Sequence, residues 1–571
     1  MGSGEKSSWE RESGKQDSEK KGSGQKEPGQ KHSWHRPRWS PRRGKISRSR
    51  LVYKLTWTIG GKCLLVGLIA GILASIYRML IAAGVDISRS MYSFASGSPI
   101  AIVGIIAGAV IAGLFVARLI KWEPMASGSG IPQTEGVLAH LLKMKDWTIL
   151  VVRFVGGSLG ALFGLSMGRE GPCVQIGACG GKFTKRLFKK GGMEEECLLT
   201  AGSAAGLAAA FTAPLSGIVF TLEEAHRSFS PFLLISSAVS ALVSAAVASF
   251  VFGLTPVLDF TDVVELPFQA YLWMLPLGII SGLMGALVNK GLLLFQNIYE
   301  KIPSSIRPMV AFLIAIPFGL FLPAVLGGGD NLISVSEVTQ VSISMMFVLL
   351  IGKILFTCTS FGSGTPGGIF MPTLAIGAIS GALFGMLMVP YGLPQDYVAI
   401  FAICGMAGTF SAAVKAPITG ILLVVEMSGD LSHLLPLAIA AFVAMFIADL
   451  LDIDPIYSEL LDRYIDKHGM TNNSDDPDRL FDVLVHRGST LDGAEFADVD
   501  WPDSSIVIRV QKAERFVVPR RATRLRQGDH LIATPIGNRR AAKLELKELA
   551  KTIPDDAGGD DTGEHRGNPV R

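Results

Sequence analysis

Three short runs dense in glycine and proline lie inside strongly apolar sequence: Gly128-Ser129-Gly130-Ile131-Pro132, Gly168-Arg169-Glu170-Gly171-Pro172 and Gly364-Thr365-Pro366-Gly367-Gly368-Ile369-Phe370-Met371-Pro372. Proline lacks a backbone donor and glycine disfavours helix, so none of these runs can sit within an unbroken apolar helix. In hydrocarbon no water satisfies the freed backbone groups, and such breaks persist only where they line a protein-walled cavity. The runs therefore predict half-helices that begin at a buried site. A half-helix N-terminus presents unpaired N–H groups and the positive end of its dipole, and glycine lets those amides approach an ion without an intervening Cβ. A small dehydrated anion is the ligand that such a site favours.

The surrounding sequence places that site in a bilayer. Over 571 residues 49% are hydrophobic and only 18% charged, and the mean hydropathy of +0.40 excludes an ordinary soluble protein. About eleven apolar stretches recur between residues 55 and 451, several long enough for a hairpin of two short helices. The net charge of +4 conceals a basic N-terminal region ending in Arg42-Arg43-Gly44-Lys45 and Arg48-Ser49-Arg50, just before the first apolar segment. By the positive-inside rule both termini are expected in the cytoplasm. The basic region is too long and polar for a signal peptide, so the first apolar segment should remain as a membrane helix. The six cysteines fall in or beside apolar segments without CxxC spacing, which suggests buried small residues and neither a metal site nor a disulfide framework. No cofactor is expected.

Along the chain, residues 1–50 are too polar to bury a core and read as a disordered basic tail, solvated and not a nucleic-acid arm. The membrane domain spans 51–462, a linker 463–478 contains Asn472-Asn473-Ser474-Asp475-Asp476-Pro477, a small α/β domain covers 479–553, and 554–571 form a second disordered tail. Within the small domain, Ile506–Val510, Arg515–Pro519 and His530–Thr534 have strand character and Asn538–Lys551 has helical composition. The strand spacing and the run "LRQGDHLIAT" resemble the C-terminal regulatory subdomain of bacterial potassium-conductance regulators, which implies a regulatory role and an unidentified small-molecule ligand.

An internal repeat is visible without gaps: Ala213-Pro214-Leu215-Ser216-Gly217-Ile218-Val219-Phe220-Thr221-Leu222-Glu223 matches Ala416-Pro417-Ile418-Thr419-Gly420-Ile421-Leu422-Leu423-Val424-Val425-Glu426. The membrane domain is thus expected to be duplicated, each half contributing a broken helix to one site, with Gly168–Pro172 answering Gly364–Gly368. Glu224 faces Met427 in this alignment, so its carboxylate is extra to the repeat.

Taken in order, GSGIP, GREGP and GGIFMP resemble the CLC family of chloride channels and chloride/proton antiporters, and the likeness runs from about residue 60 to Tyr457. The resemblance implies an all-α polytopic fold with inverted repeats and broken helices meeting at a central chloride site, a homodimer, and a prokaryotic plasma membrane. It implies that Ser129 offers a hydroxyl to chloride, that Ile369 and Phe370 offer backbone N–H groups, and that Tyr457 closes the inner side with its phenol. Gly128, Gly130, Gly168, Arg169, Gly171, Gly367 and Gly368 shape the loops around them. All these donors are neutral, which suits holding an anion without trapping it.

Glu170 is the candidate gate, an intramembrane acid among the anion-attracting glycines. Ionised, it can occupy the anion position; protonated, it must leave, which couples protons to chloride. The alternative is a fixed ion pair with Arg169. Glu224 corresponds by resemblance to the internal proton-transfer glutamate and Glu223 to its water-organising neighbour, the alternative being that both cap a helix end. Glu135 and Glu426 read as structural. Ser129 stands where nitrate-selective members carry proline, and Tyr457 argues against the fluoride-exporting branch, so chloride is the expected ion.

Other readings fail on chemistry. Gly156-Gly157-Ser158-Leu159-Gly160 fits the G-x-S-x-G pattern but lies inside a glycine-rich apolar segment and not in a strand-turn-helix. A cation channel lacks a T-V-G-Y-G filter, and half-helix N-termini have the wrong sign for it. A passive chloride channel of the same fold remains the alternative to an antiporter.

Overall fold

The structure is a computed structural model. It describes residues 48–551 apart from 140, 189–192, 227–229, 255–256, 259–263, 265, 338–340, 469–480, 487, 513–514 and 537–538. Of the segments read from the sequence, 1–47 of the basic tail, 469–478 of the linker and the final tail lie outside the described residues, while 48–50 open the first helix and 463–467 continue the helix that closes the membrane domain. Contacts divide the chain into residues 1–52 and 53–571, and the glycine-rich runs and the small α/β domain all belong to the second unit.

Helices α1 (Arg48–Ala95) and α2 (Pro99–Trp122) precede a first half built from α3 (Ile131–Leu138), α4 (Asp146–Leu162), α5 (Glu170–Phe188), α6 (Met193–Phe211), α7 (Pro214–Phe220), a π-helical turn Thr221–Ala225, and α8 (Pro231–Phe252). The second half contains α9 (Met274–Glu300), α10 (Arg307–Phe321), α11 (Asp330–Glu337), α12 (Ile343–Gly362), α13 (Phe370–Met388), α14 (Val398–Val414), α15 (Pro417–Ser428) and α16 (Leu434–Leu450), and α17 (Ile456–Lys467) closes the membrane domain. Seven helical spans among the described residues are long and apolar enough to cross a membrane, and α10, α15 and α16 are shorter apolar helices. Several expected apolar stretches are therefore broken pairs: 200–222 divides between α6 and α7, and 396–425 between α14 and α15.

The duplication is explicit in the backbone. The α4–α5 connection and the α12–α13 connection have the same local conformation, and Gly168 and Gly368 form an antiparallel bridge with each other. The correspondence of the halves is thus GREGP with Gly368-Ile369-Phe370-Met371-Pro372, four residues later than the Gly364–Gly368 match expected from glycine content. Thr212 (φ 57°) and Lys415 (φ 63°) repeat one left-handed residue before each Ala-Pro helix start. Glycine also sets the α5–α6 and α13–α14 distances. A Cβ on Gly177 would come within 2.0 Å of the Gly202 carbonyl oxygen, and one on Gly381 within 2.1 Å of the Phe401 oxygen, so these helices pack backbone to backbone.

After α17 comes a four-stranded antiparallel sheet in the order β1-β4-β2-β3, with β1 (Phe481–Leu484), β2 (Ser505–Lys512), β3 (Arg515–Val517) and β4 (His530–Pro535), covered by α18 (Arg539–Ala550). Its core includes Phe481, Val483, Val510, Leu531, Ala542 and Leu546. Three of the strands and the helix match the sequence reading, and β1 is additional.

Candidate functional site

The three glycine-rich runs form one knot. Gly128 donates its N–H to the Gly364 carbonyl (3.1 Å) and Gly367 donates to the Gly128 carbonyl (3.0 Å), while Gly168 and Gly368 exchange both bonds at 2.7 Å. Gly128 (φ 59°) and Gly130 (φ 96°) take left-handed conformations that any side chain would strain. From this knot α3, α5 and α13 start at Ile131, Glu170 and Phe370, so three sets of first-turn N–H groups without intrahelical acceptors are brought together.

Ser129 lies between the two left-handed glycines with its hydroxyl buried and directed to the Tyr457 phenol. It rests on the start of α5, where a Cβ on Gly171 would meet the Ser129 Oγ at 2.4 Å. Across from it, Tyr457 follows Pro455 at the start of α17 and is fully buried. Ser129 is the side chain beside that phenol, and Glu224 and Glu170 are the acids in electrostatic reach of it. Ile369 and Phe370, 2% and 1% exposed, hold the first positions of α13. The Phe370 ring packs against Phe211, Phe220 and Phe410 at centroid distances of 5.6, 5.9 and 4.3 Å. The two hydroxyls and the converging amides, all neutral donors, lie over an aromatic floor.

Glu170 opens α5 and is wholly buried. Its carboxyl faces its own backbone N–H and that of Met371, which places a titratable group where the N-termini of α5 and α13 converge. The two amides approach the carboxyl without the alignment of a full hydrogen bond. The Arg169 Nε is 4.0 Å from it, and Arg169 also approaches Asp330 at 3.7 Å, so Arg169 divides its charge between two acids. A cavity of about 210 Å³ reaches Glu170 past Arg89, Arg169 and Asp330. A second, of about 110 Å³, reaches Ser129 past Arg307, Arg463 and Lys467, with Glu300 the acid in its wall. The cationic excess of the second concentrates anions at its mouth.

Glu224 sits on the π-helical turn, 3% exposed. Glu223, one residue earlier, faces elsewhere: it accepts from Ile418 N (3.2 Å), Thr419 N (2.8 Å) and Thr419 Oγ (2.7 Å), capping α15. Glu426 returns the arrangement, accepting from Leu215 N (2.9 Å), Ser216 N (2.7 Å) and the Ser216 hydroxyl at the start of α7. The pair of repeat-related acids is thus a reciprocal cap between halves. Both Glu223 carboxylate oxygens accept from the start of α15 and both Glu426 oxygens from the start of α7. Glu135 is buried on α3.

Arg153 was missed by sequence reasoning. It is fully buried on α4, donates through Nε to Gln175 Oε1 (2.6 Å), through Nη1 to the Gly128 carbonyl and through Nη2 to the Ser127 carbonyl (3.5 Å). Gln175 in turn donates to the Met125 carbonyl (2.9 Å). The guanidinium thereby braces the Ser129 loop and puts a positive charge beneath it. A basic residue inside the apolar run ILVVRFVGG was the available signal.

Comparison with known proteins agrees with this geometry. The family model described as "Voltage gated chloride channel" matches residues 108–449. The chain is 38% identical over 380 residues to the H(+)/Cl(-) exchange transporter ClcA of Vibrio parahaemolyticus, covering 64% of this chain and 80% of that protein. It is 37% identical over 368 residues to the protein of that name from Salmonella typhimurium, covering 62% and 77%. Among solved structures, a slow cyanobacterial Cl-/H+ antiporter aligns with a TM-score of 0.67 at 30% identity, over 71% of this chain and 98% of that one. A CLC-type fluoride/proton antiporter aligns at 0.59 and 23% identity, over 71% and 98%, a likeness of fold alone. With its matched span exceeding half its length, its two cross-capped halves and its knot of three half-helix starts, the chain belongs to the voltage gated chloride channel family, the CLC proteins.

Proposed function

We propose that the protein is a secondary active antiporter that exchanges chloride for protons. The observation that carries this reading is the seat of Glu170: a buried carboxyl placed among the amides of α5 and α13, the position suited to the transported anion. Ionised Glu170 fills the position and blocks passage; protonation removes its charge and frees the seat for chloride. Chloride enters past Ser129, Ile369, Phe370 and Tyr457, all neutral donors. Protons reach Glu170 by a separate route that passes Glu224, buried within electrostatic reach of Tyr457.

The basic run before α1 supports a cytoplasmic N-terminus in a prokaryotic inner membrane, and lipid is the surrounding solvent. Small-residue packing is compatible with a homodimer in which each subunit keeps its own pathway. The 479–553 domain regulates without forming the pore. Within it a cavity of about 510 Å³ beside Trp501 has room for a small molecule.

The test is flux of chloride and protons from liposomes with and without an imposed pH gradient. Exchange requires the two fluxes to move together, so that a pH gradient alone drives chloride. Chloride current that follows voltage without proton movement establishes the passive channel instead.

A further inference from the structure

The last helix of the C-terminal domain carries two rows of side chains four residues apart. Ala542, Leu546 and Ala550 are buried in the core of that domain. One position on, and so about 100° around the helix, Lys543, Lys547 and Lys551 form a second row. Each lysine of this row meets an aspartate of the membrane domain: Lys543 with Asp462 (3.1 Å), Lys547 with Asp454 (2.8 Å) and Lys551 with Asp452 (2.5 Å).

Those three aspartates surround the start of the helix that bears Tyr457. Asp452 and Asp454 belong to the turn between α16 and α17, and Asp462 lies on α17 itself, five residues beyond Tyr457. The turn is held from the membrane side as well. Buried Asn289 donates to the Ala413 carbonyl (2.9 Å) and, at 3.4 Å, to the Asp454 carbonyl. Asp452 adopts a left-handed backbone (φ 52°), a conformation for which Asp is among the better suited residues. The α17 helix also lines the cavity that reaches Ser129, through Arg463, Tyr464 and Lys467. Meanwhile the far end of α18 is fastened to its own domain, where His486 N–H donates to the Ala550 carbonyl (2.9 Å) and Thr490 to the Leu549 carbonyl (2.7 Å).

We infer that α18 is a clasp on the inner gate: its lysine row holds α17, and so Tyr457, in the closed position, and displacement of the small domain releases it. The lysines are positioning residues, acting through α17 and touching no transported ion. The inference rests on the chloride-exchange reading of the Tyr457 site. It explains in physical terms how a domain with no spanning segment reaches the pathway. The pairs are partly exposed, with lysine side chains 26–43% accessible, so each contributes little alone and all are screened by salt. A clasp of this kind is reversible.

The experiment uses the full chain in liposomes. Wild-type protein first establishes chloride/proton exchange; absence of that flux refutes the functional reading and is distinguishable from failure of the clasp. The variant Lys543→Glu/Lys547→Glu/Lys551→Glu should exchange about threefold to fivefold faster, with an unchanged proton-to-chloride ratio. The triple Lys→Arg variant should match wild type, and adding Asp452→Lys, Asp454→Lys and Asp462→Lys to the glutamate variant should restore the slow rate. Impermeant salt raised from about 50 to 500 mM on the α18 side should speed wild type and leave the glutamate variant unmoved. If the folded glutamate variant exchanges at the wild-type rate or slower, if the reversed aspartates fail to restore the rate, or if salt has no effect on wild type, the clasp is refuted. The salt arm needs no substitution, so poor expression of a variant leaves the test intact.

Discussion

Replacing Glu223 by glutamine separates a capping acid from a proton-carrying one. In the structure its carboxylate receives three bonds from the start of α15, at 3.2, 2.8 and 2.7 Å. Glutamine keeps one acceptor oxygen but turns an amide donor toward N–H and O–H donors, and it removes a negative charge from a helix N-terminus. Bonds to charged groups contribute about 1.5–3 kcal/mol and the dipole effect about 0.3–1 kcal/mol. Because Glu223 is half-exposed, the net loss should be about 1–2 kcal/mol. For a domain of this size that lowers the unfolding midpoint by roughly 1–2 °C. The assay is thermal unfolding in detergent, paired with chloride-driven proton transport in liposomes. Glu223→Gln should lower the midpoint and keep the proton-to-chloride ratio, and Glu426→Gln should behave alike because it caps α7 in the mirror arrangement. Glu224→Gln should do the reverse, abolishing proton movement at a near-native midpoint. A Glu223→Gln protein with an unchanged midpoint and lost proton coupling would refute the capping assignment.

Three further outcomes are expected from the same geometry. Glu170→Gln, a permanently neutral mimic, should leave chloride flux insensitive to pH and uncoupled from protons, measured as chloride efflux at several pH values. Arg153→Lys keeps the charge but loses the fork that braces Ser127 and Gly128, so chloride binding by calorimetry should weaken roughly tenfold; unchanged affinity would show that the loop holds itself. Docking of α18 on the membrane domain should be constant between about pH 5 and 9. The Asp452 carboxyl is held below its ordinary value chiefly by the hydrogen bond from Lys551, which in turn raises the lysine. The contribution of the acid is therefore present above the ordinary carboxylate range and lost only as pH falls through the depressed value, and the lysine loses its charge only above the ordinary lysine range. Proteolytic protection of the 479–553 domain across pH reads this directly.

The glycine-rich runs were legible because their constraint is local: a break in an apolar helix is a property of neighbouring residues, and Glu170 and Ser129 stand on those breaks, whereas Tyr457 was reached through the family resemblance alone. What escaped the sequence depends on partners far along the chain. The Glu223 and Glu426 caps each join residues about 200 positions apart, and no local pattern distinguishes a capping acid from its proton-carrying neighbour. The register of the halves was misread by four residues because glycine content favours Gly364–Gly368 as the match to GREGP, whereas the backbone bridge pairs Gly168 with Gly368. Arg153 carried a readable sign, a cation in an apolar helix, but its acceptors are carbonyls of another loop. Strand β1, only four residues long with a central Asp482, is recognisable only through its pairing with β4.

The most direct measurement is proton movement into liposomes that contain the purified protein and are given a chloride gradient with no pH gradient. Protons driven uphill, opposite to chloride, and halted by Glu170→Gln, are the expected result. Chloride flux that proceeds while the proton gradient stays at zero contradicts the account.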